Sequence, residues 1–291
     1  MERRLIVTHQ APDLDAIFSC WLLKRFDAQN HGDAKFAFVP AGDKLLAAQI
    51  EQMGFRPSSV THVDTGLGRF DHHDEVKGQQ YTCAAQLVYQ YLVQIHPDLS
   101  EDKALPPMID FVLEIDHFRD VDWPGADSSR YMFMLPEIIQ GMDFSQNHDD
   151  QHQVVFGMEA LEYVYASMTH FVKAEEVIEE KGVPFLLKDG TKALALETRN
   201  DECVRLAQKK GYQLAVRKDP EKGSVRIKCR PDNAINLRSV YERIIELDEV
   251  GTWFYHPSGK MVLNGSTKNP NHIPSPLSLE EIVKIIKEEL G

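Results

Sequence analysis

The first 125 residues alternate between short apolar runs of strand character and longer runs of helix character, and this alternation limits the fold more than any other feature of the chain. "RLIVTH" (4–9), "AKFAFVPAG" (34–42) and "SVTHVDTG" (59–66) have the length and β-branched or aromatic content of strands. Between and after them, "AIFSCWLLKRF" (16–26), "DKLLAAQIEQMGF" (43–55), "AAQLVYQYLVQI" (84–95) and "PPMIDFVLEID" (106–116) read as helices, with Asp43 as an N-cap and the prolines at a helix start. Strand–helix alternation of this kind predicts an α/β fold: a parallel sheet with helices on both faces.

The pattern then changes. Residues 126–184 read as a helical connector, dominated by "QVVFGMEALEYVYASMTHFVKAEEVIEEKG", with Gly182 and Pro184 as its stop signals. Beyond it, "YQLAVRKDPEKGSVRIKCR" predicts a hairpin turning at Asp219-Pro220 and Gly223. "LRSVYERIIEL" is a helix and "KMVLNGS" a strand. "SLEEIVKIIKEEL" is a helix with Ser278 and Glu281 in capping-box positions. The expected organisation is a first domain over 1–125, the connector over 126–184 and a smaller α/β domain over 185–291.

Charge divides along the same line. Residues 185–291 hold 18 Lys and Arg against 15 Asp and Glu, whereas 1–184 hold 14 against 30. A long duplex nucleic acid would need a basic stripe, so it is not the expected partner; a small anionic ligand is. No apolar run approaches the roughly 20 residues of a membrane span. The opening "MERRLIVTHQ" has too short an apolar core for a signal peptide, so the expectation is a cytoplasmic protein. Four scattered cysteines read as reduced, buried thiols. A homodimer is compatible with the sequence, which does not fix the oligomeric state.

Polar groups gather where the strands should end. His9, Asp13 and Asp15 follow the first strand within "HQAPDLDA", and Asp64 follows the third. "FDHHDE" brings Asp71, His72, His73 and Asp74 in succession, and Asp116 closes "LEID". Ligand sites of parallel sheets lie at the carboxyl ends of strands. Taken singly, an Asp after a strand is more often a turn or cap residue, and His-His in a loop more often solvated polarity. Together they form a set whose clustered carboxylates demand cations. Carboxylates and imidazoles without paired cysteines favour Mn²⁺ or Mg²⁺ over structural zinc. The His- and Asp-rich "QNHDDQHQ" (146–153) reads as solvated polarity rather than a further metal site.

"HQAPDLDA", "VD", "DHH" and "ID" stand in the order, and at roughly the intervals, of the four motifs of DHH phosphoesterases, which the chain resembles over residues 1 to about 125. The family includes single-strand exonucleases, nanoRNases, exopolyphosphatases and manganese-dependent pyrophosphatases. The resemblance implies two Mn²⁺ ions, with Mg²⁺ as second choice. His9 and Asp13 would bind one ion and Asp15 the other. Asp64 would bridge both, His72 and Asp116 would complete the second site, and His73 would face the substrate phosphate. The first motif departs from the family in having Leu14 where glycine is frequent. The Gly-Gly-Gly-His signature of the family's associated domain is absent, and "YHPSGK" and "LNGSTK" stand in its region. Arg230, just past a strand, is the first candidate to grip a substrate anion, followed by Arg238, His256 and backbone groups around Gly265; a surface salt bridge is the competing reading of Arg230.

These readings converge on a metal-dependent phosphoesterase acting on a small phosphodiester such as a short oligonucleotide or cyclic dinucleotide. Asp64 and His73 would be its catalytic groups. A pyrophosphatase- or exopolyphosphatase-type hydrolase and a non-catalytic nucleotide-binding protein are the alternatives.

Overall fold

The computed structural model describes residues 3–145, 149–265, 269 and 271–290. The chain divides into two compact units, 1–168 and 169–291.

The first unit opens with β1 (Leu5–His9), α1 (Leu14–Phe26), the single turn α2 (Ala28–His31), β2 (Lys35–Val39), α3 (Ala47–Gln52) and β3 (Val60–His62). It continues through α4 (Ala84–Ile95), α5 (Leu105–Asp116), α6 (Leu135–Asp143) and the start of α7 (Asp150–Lys181). The three strands form the expected parallel sheet in the order β2-β1-β3. Alternation along β1 explains its two faces. Ile6 points into a core built with α1, α4 and α5, while Leu5 and Val7 pack with Val39 and with Leu45 and Phe55 from the flanks of α3.

Helix α1 lies deepest, with every residue from Leu14 to Leu23 buried. Trp21 stacks edge-on against Phe18 and Phe26, and its indole N–H donates to Glu162 at 2.8 Å. A Cβ placed on Gly157 would lie 2.7 Å from Ile17 Cγ2, so α7 passes α1 at a distance that only glycine permits.

Helix α3 begins later than the sequence suggests. Asp43 does not cap it; its carbonyl instead accepts the Thr65 hydroxyl, and the chain turns through 43–46 before Gln49 accepts the Leu46 N–H. Asp116 is the last residue of α5, and the prolines occupy that helix's first turn.

The second unit takes the end of α7, then β4 (Val183–Leu186), β5 (Lys192–Glu197), α8 (Glu202–Lys209), β6 (Leu214–Lys218) and β7 (Val225–Cys229). There follow α9 (Arg238–Leu247), β8 (Trp253–Tyr255), β9 (Met261–Asn264) and α10 (Leu279–Glu289). Its six-stranded sheet runs β4-β5-β6-β7-β9-β8, antiparallel except for β5 and β6, which α8 connects. Along β5, Ala193 and Ala195 face α9 and α10 while Leu194 and Leu196 face α7 and α8. The 214–229 hairpin and the Ser278–Glu281 capping box are present. The β4–β5 hairpin was hidden by Pro184, which tolerates this edge strand as well as it ends a helix. All four cysteines are buried and unpaired. No helix among the described residues is long and apolar enough to cross a membrane.

Candidate metal centre

Asp64 is the centre of the arrangement. It follows β3 in a left-handed backbone conformation (φ 52°), which aspartate tolerates better than bulkier residues. The loop after it folds straight back. Asp64 N–H donates to the Phe70 carbonyl, and Asp71 Oδ2 accepts the Leu67 N–H at 2.6 Å. The loop therefore returns His72 and His73 to the point where the chain left β3.

Two sets of donor atoms share this carboxylate. Asp64 Oδ2 lies 3.3 Å from His9 Nε2, which is 3.9 Å from Asp13 Oδ1. Asp64 Oδ1 lies 3.5 Å from His72 Nε2 and 3.7 Å from His73 Nδ1. His72 Nε2 is in turn 3.6 Å from Asp116 Oδ2 and 3.9 Å from Asp15 Oδ2. Asp64 Oδ1, His72 Nε2 and Asp116 Oδ2 are buried and have no hydrogen-bond partner. A buried polar atom left unpaired costs about 1–3 kcal/mol. Asp64, His72 and His73 form one group of donor atoms within 4.8 Å of one another, His72, Asp116 and His117 a second, and His9, Asp13 and Asp64 a third, so each unpaired buried atom belongs to a group able to hold a cation.

The electrostatics agree with this reading. Burial opposes the charge on Asp64, but the His72 and His9 imidazoles outweigh it and hold its carboxyl well below the usual range. Burial also acts against the charged form of His9, yet the bond to Asp64 and the nearby carboxylates raise it to about 9. Burial and then the Asp64 charge push Asp13 up to about 6, although 58% of its side chain is open to solvent, which tempers the effect of burial. Asp15 is driven well above the carboxylate range, first by burial and then by Asp64 and Asp116. Asp116 is raised by burial, with His72 opposing. Carboxylates pushed up in this way are those whose charge a divalent cation would stabilise.

Each ligand candidate is positioned by its element. Asp13 caps α1 by accepting the Ala16 N–H at 3.0 Å. Both oxygens of Asp15 receive backbone N–H groups from the start of α4, Ala84 at 2.7 Å and Ala85 at 2.8 Å. Asp71, fully buried, accepts from His73 Nδ1 at 2.8 Å and from the His73 backbone N–H, which fixes the ring and leaves Nε2 free to point outward.

The atoms border a cleft of about 820 Å³ in the first unit. Its wall carries the carboxylates Asp13, Asp15, Asp116, Asp120, Glu137 and Asp143 and no Lys or Arg. Phe118 projects at its rim with 78% exposure and a left-handed backbone (φ 56°).

Sequence reasoning overlooked four participants. Asp71 orients His73, and the His73-minus-two spacing was its only signal. His117 donates to the Thr82 carbonyl at 3.0 Å and stacks on Tyr81 with ring centroids 4.6 Å apart. Asp150 and Gln153, read as solvated polarity, hold the loop of the first motif. Asp150 accepts the Ala11 N–H at 2.9 Å, and Gln153 Nε2 donates to the Pro12 carbonyl at 3.1 Å. The rest of that tract, 146–148, lies outside the described residues, as do residues 266–268 of "LNGSTK".

His9, Asp13, Asp15, Asp64, His72, His73 and Asp116 are thus brought together. Arg230, Arg238 and His256 belong to the second unit. Arg230 is fully engaged, with Nε and Nη2 on the two oxygens of Asp232 and Nη1 on the Gln208 carbonyl. Arg238 covers the Tyr255 ring at 4.6 Å beside Glu242, and His256 Nδ1 lies 2.7 Å from the Ser258 hydroxyl.

No family model matches the sequence, and no curated protein sequence matches it. Among solved structures, similar chains are DHH-domain proteins and RecJ exonucleases. A DHH domain described as a member of a family of ribosomal proteins is 11% identical with a TM-score of 0.33, covering 99% of this chain and 86% of that one. Exonuclease RecJ bound to manganese is 10% identical with a TM-score of 0.29, covering 98% and 89%. RecJ in complex with Mn²⁺ from Thermus thermophilus is 11% identical with a TM-score of 0.30, covering 98% and 52%. The reading of the metal centre rests on the atoms described above.

Proposed function

We propose that the chain is a phosphoesterase that uses two divalent cations, Mn²⁺ foremost, to hydrolyse a small phosphodiester such as a short oligonucleotide or cyclic dinucleotide. One observation carries the reading: Asp64 turns one oxygen to His9, which neighbours Asp13, and the other to His72, which neighbours Asp116. A single carboxylate placed in this way is suited to bridging two ions. When bound, the cations would supply charge for the phosphate and activate the attacking water, as two-metal hydrolases do.

The remaining roles belong to the chain's own residues. His9 and Asp13 would hold one ion; His72, Asp116 and Asp15 would hold the other. His73, its Nδ1–H held by Asp71, would face the substrate phosphate with its Nε2 edge and, when the ring carries a second proton, donate Nε2–H to an equatorial phosphoryl oxygen. The buried Asp71 partner keeps one proton on Nδ1 and fixes the orientation of the ring, so the ring needs no reorganisation during reaction.

The cleft wall favours a diester over a phosphoanhydride. It offers carboxylates and no Lys or Arg, so a substrate with a single negative charge per linkage suits it better than pyrophosphate or polyphosphate. The exposed Phe118 ring at the rim provides an apolar face for an organic group of such a substrate.

The test is an assay of metal-free protein reconstituted with Mn²⁺ against a dinucleotide, pyrophosphate and a 3′,5′-bisphosphonucleoside. The dinucleotide should turn over fastest. Preference for pyrophosphate would move the reading to a phosphoanhydride hydrolase, and two bound ions with no turnover of any compound would make the protein a binder.

A further inference from the structure

A second hollow in the first unit has the opposite electrical character from the metal cleft. It runs along β3, from Arg4 just before β1 to Phe70 after β3, occupies about 480 Å³ and is bounded by Arg4, Asn30, Thr61, His62, Arg69 and Tyr91, among others. Among the described residues no carboxylate lines it. Residues 1–184 are strongly acidic, so two arginines facing one space with no acid in its wall is a local reversal of sign.

Neither arginine is neutralised by a described residue. Most arginines of this chain pair with a carboxylate, as Arg25 does with Glu162, Arg226 with Asp201 and Arg243 with Glu246. Arg4 and Arg69 form no ion pair with any described residue. Arg69 is nevertheless held in place, its guanidinium carbon 4.1 Å from the Tyr91 ring centroid and 5.2 Å from that of Phe70. Stacking by its flat face leaves the N–H edge available, which is how guanidinium grips an oxyanion. Both guanidinium groups act on the same phenol: burial and Asp27 raise Tyr91, and Arg69 and Arg4 oppose them.

The other polar groups around the hollow are already assigned. Asp27, the nearby acid, is buried, and its oxygens receive His31 Nδ1, Asn30 Nδ2 and, at 3.4 Å, the Tyr91 hydroxyl. His31 spends its second nitrogen on the Thr61 hydroxyl at 3.0 Å. Burial and then Lys44 lower His62, so its ring is neutral; Nε2 accepts the Leu45 N–H, which leaves the proton on Nδ1 as a donor. What remains at the hollow is chiefly two cationic forks, whose N–H groups are donors.

We propose that this hollow is an anion site for a phosphate-type oxyanion, held by Arg4 and Arg69 and separate from the metal centre. The two sites are neighbours, since the Phe70 carbonyl accepts the Asp64 N–H at 2.8 Å, but they use different side chains. The site does not depend on the phosphoesterase reading, because none of its residues touches the metal ligands' donor atoms.

The experiment uses the full chain stripped of metal with EDTA, so that the cleft cannot hold phosphate through cations. Inorganic phosphate is titrated by calorimetry and by thermal melting, with sodium chloride at matched ionic strength as control. Saturable binding with a raised Tm is expected. Arg69→Gln and Arg4→Gln should each weaken it at least tenfold, and Arg69→Lys, which keeps the charge but loses the fork, by an intermediate amount. A parallel titration with adenosine monophosphate distinguishes a free phosphate from the phosphate of a nucleotide. Melting equal to that in chloride, or variants that are folded by circular dichroism and bind as well as the unaltered chain, would overturn the assignment.

Discussion

His73 Nδ1 rests 2.8 Å from the oxygen of Asp71, a carboxylate with no exposure to solvent, while its ring remains half exposed at the edge of the metal cleft. Asp71 is therefore placed to fix a neighbour rather than to meet a ligand. Asp71→Asn should lower kcat by about tenfold to a hundredfold, the usual cost of losing such a support, with Mn²⁺ stoichiometry unchanged. Steady-state kinetics alongside metal analysis would check it, and an unaltered kcat would remove Asp71 from the machinery.

Asp64→Asn separates charge from shape. Asparagine accepts the left-handed backbone as readily as aspartate, so the loop should keep its form. The variant should bind fewer than two Mn²⁺ per chain and lose turnover by at least about a hundredfold, on the scale of removing a bridging charge of several kcal/mol. Two tightly held ions with near-normal rates would show that Asp64 does not bridge.

The metal-free centre should answer to pH with a defined sign. His9 at about 9 and Asp13 at about 6 both sit above their ordinary values. Groups raised by folding contribute stability that is complete below their unfolded values and is lost as pH climbs through the folded ones. The metal-free protein should accordingly melt at lower temperature at pH 9 than at pH 6. At pH 7 His9 still carries its proton, so Mn²⁺ uptake should release a proton and tighten as pH rises. Calorimetry in buffers of different ionisation enthalpy measures this, and uptake without proton release would contradict it.

Gly157→Ala should destabilise by about 1–3 kcal/mol, the range for overpacking a close contact, because its Cβ meets Ile17 Cγ2 at 2.7 Å and Cδ1 at 3.0 Å. Adding Ile17→Ala should recover part of that loss, so the double variant is less unstable than the sum of the two. Additive melting data would mean the helices simply move apart.

Phe118 holds a left-handed position after α5 where glycine is the usual occupant. Phe118→Gly should raise Tm slightly, since little packing is lost from a side chain 78% exposed. If the ring meets an organic part of the substrate, the same change should lower kcat/KM on a dinucleotide by roughly fivefold to a hundredfold, the range of a stacking contact of about 1–3 kcal/mol. Higher stability with unchanged kinetics would leave the strained Phe118 without a substrate role.

The sequence made the candidate metal ligands legible because most of them follow strands, and strand ends in a parallel sheet are where ligands gather. It could not show that Asp15 would also cap α4 from 69 residues away, since that bond depends on how α1 and α4 pack. Asp150 and Gln153 were concealed by a polar neighbourhood. Their partners, the Ala11 N–H and the Pro12 carbonyl, are backbone groups that carry no signature in residue type. The start of α3 was misplaced because Asp43 suits an N-cap equally as a turn, and Thr65 decides between them.

The border between the two units falls inside α7, not in a loop. Val154 and Leu161 belong to one hydrophobic core, and Ala174 and Ile178 belong to another. A protease looking for an interdomain joint would find continuous helix there, and cleavage would first require that helix to melt. Fragments cut at 125, or anywhere within 150–181, lose core residues along with their connection. The two halves of this polypeptide are therefore bound to a common fate in synthesis and in degradation, because the segment that joins them is also part of what each is made of.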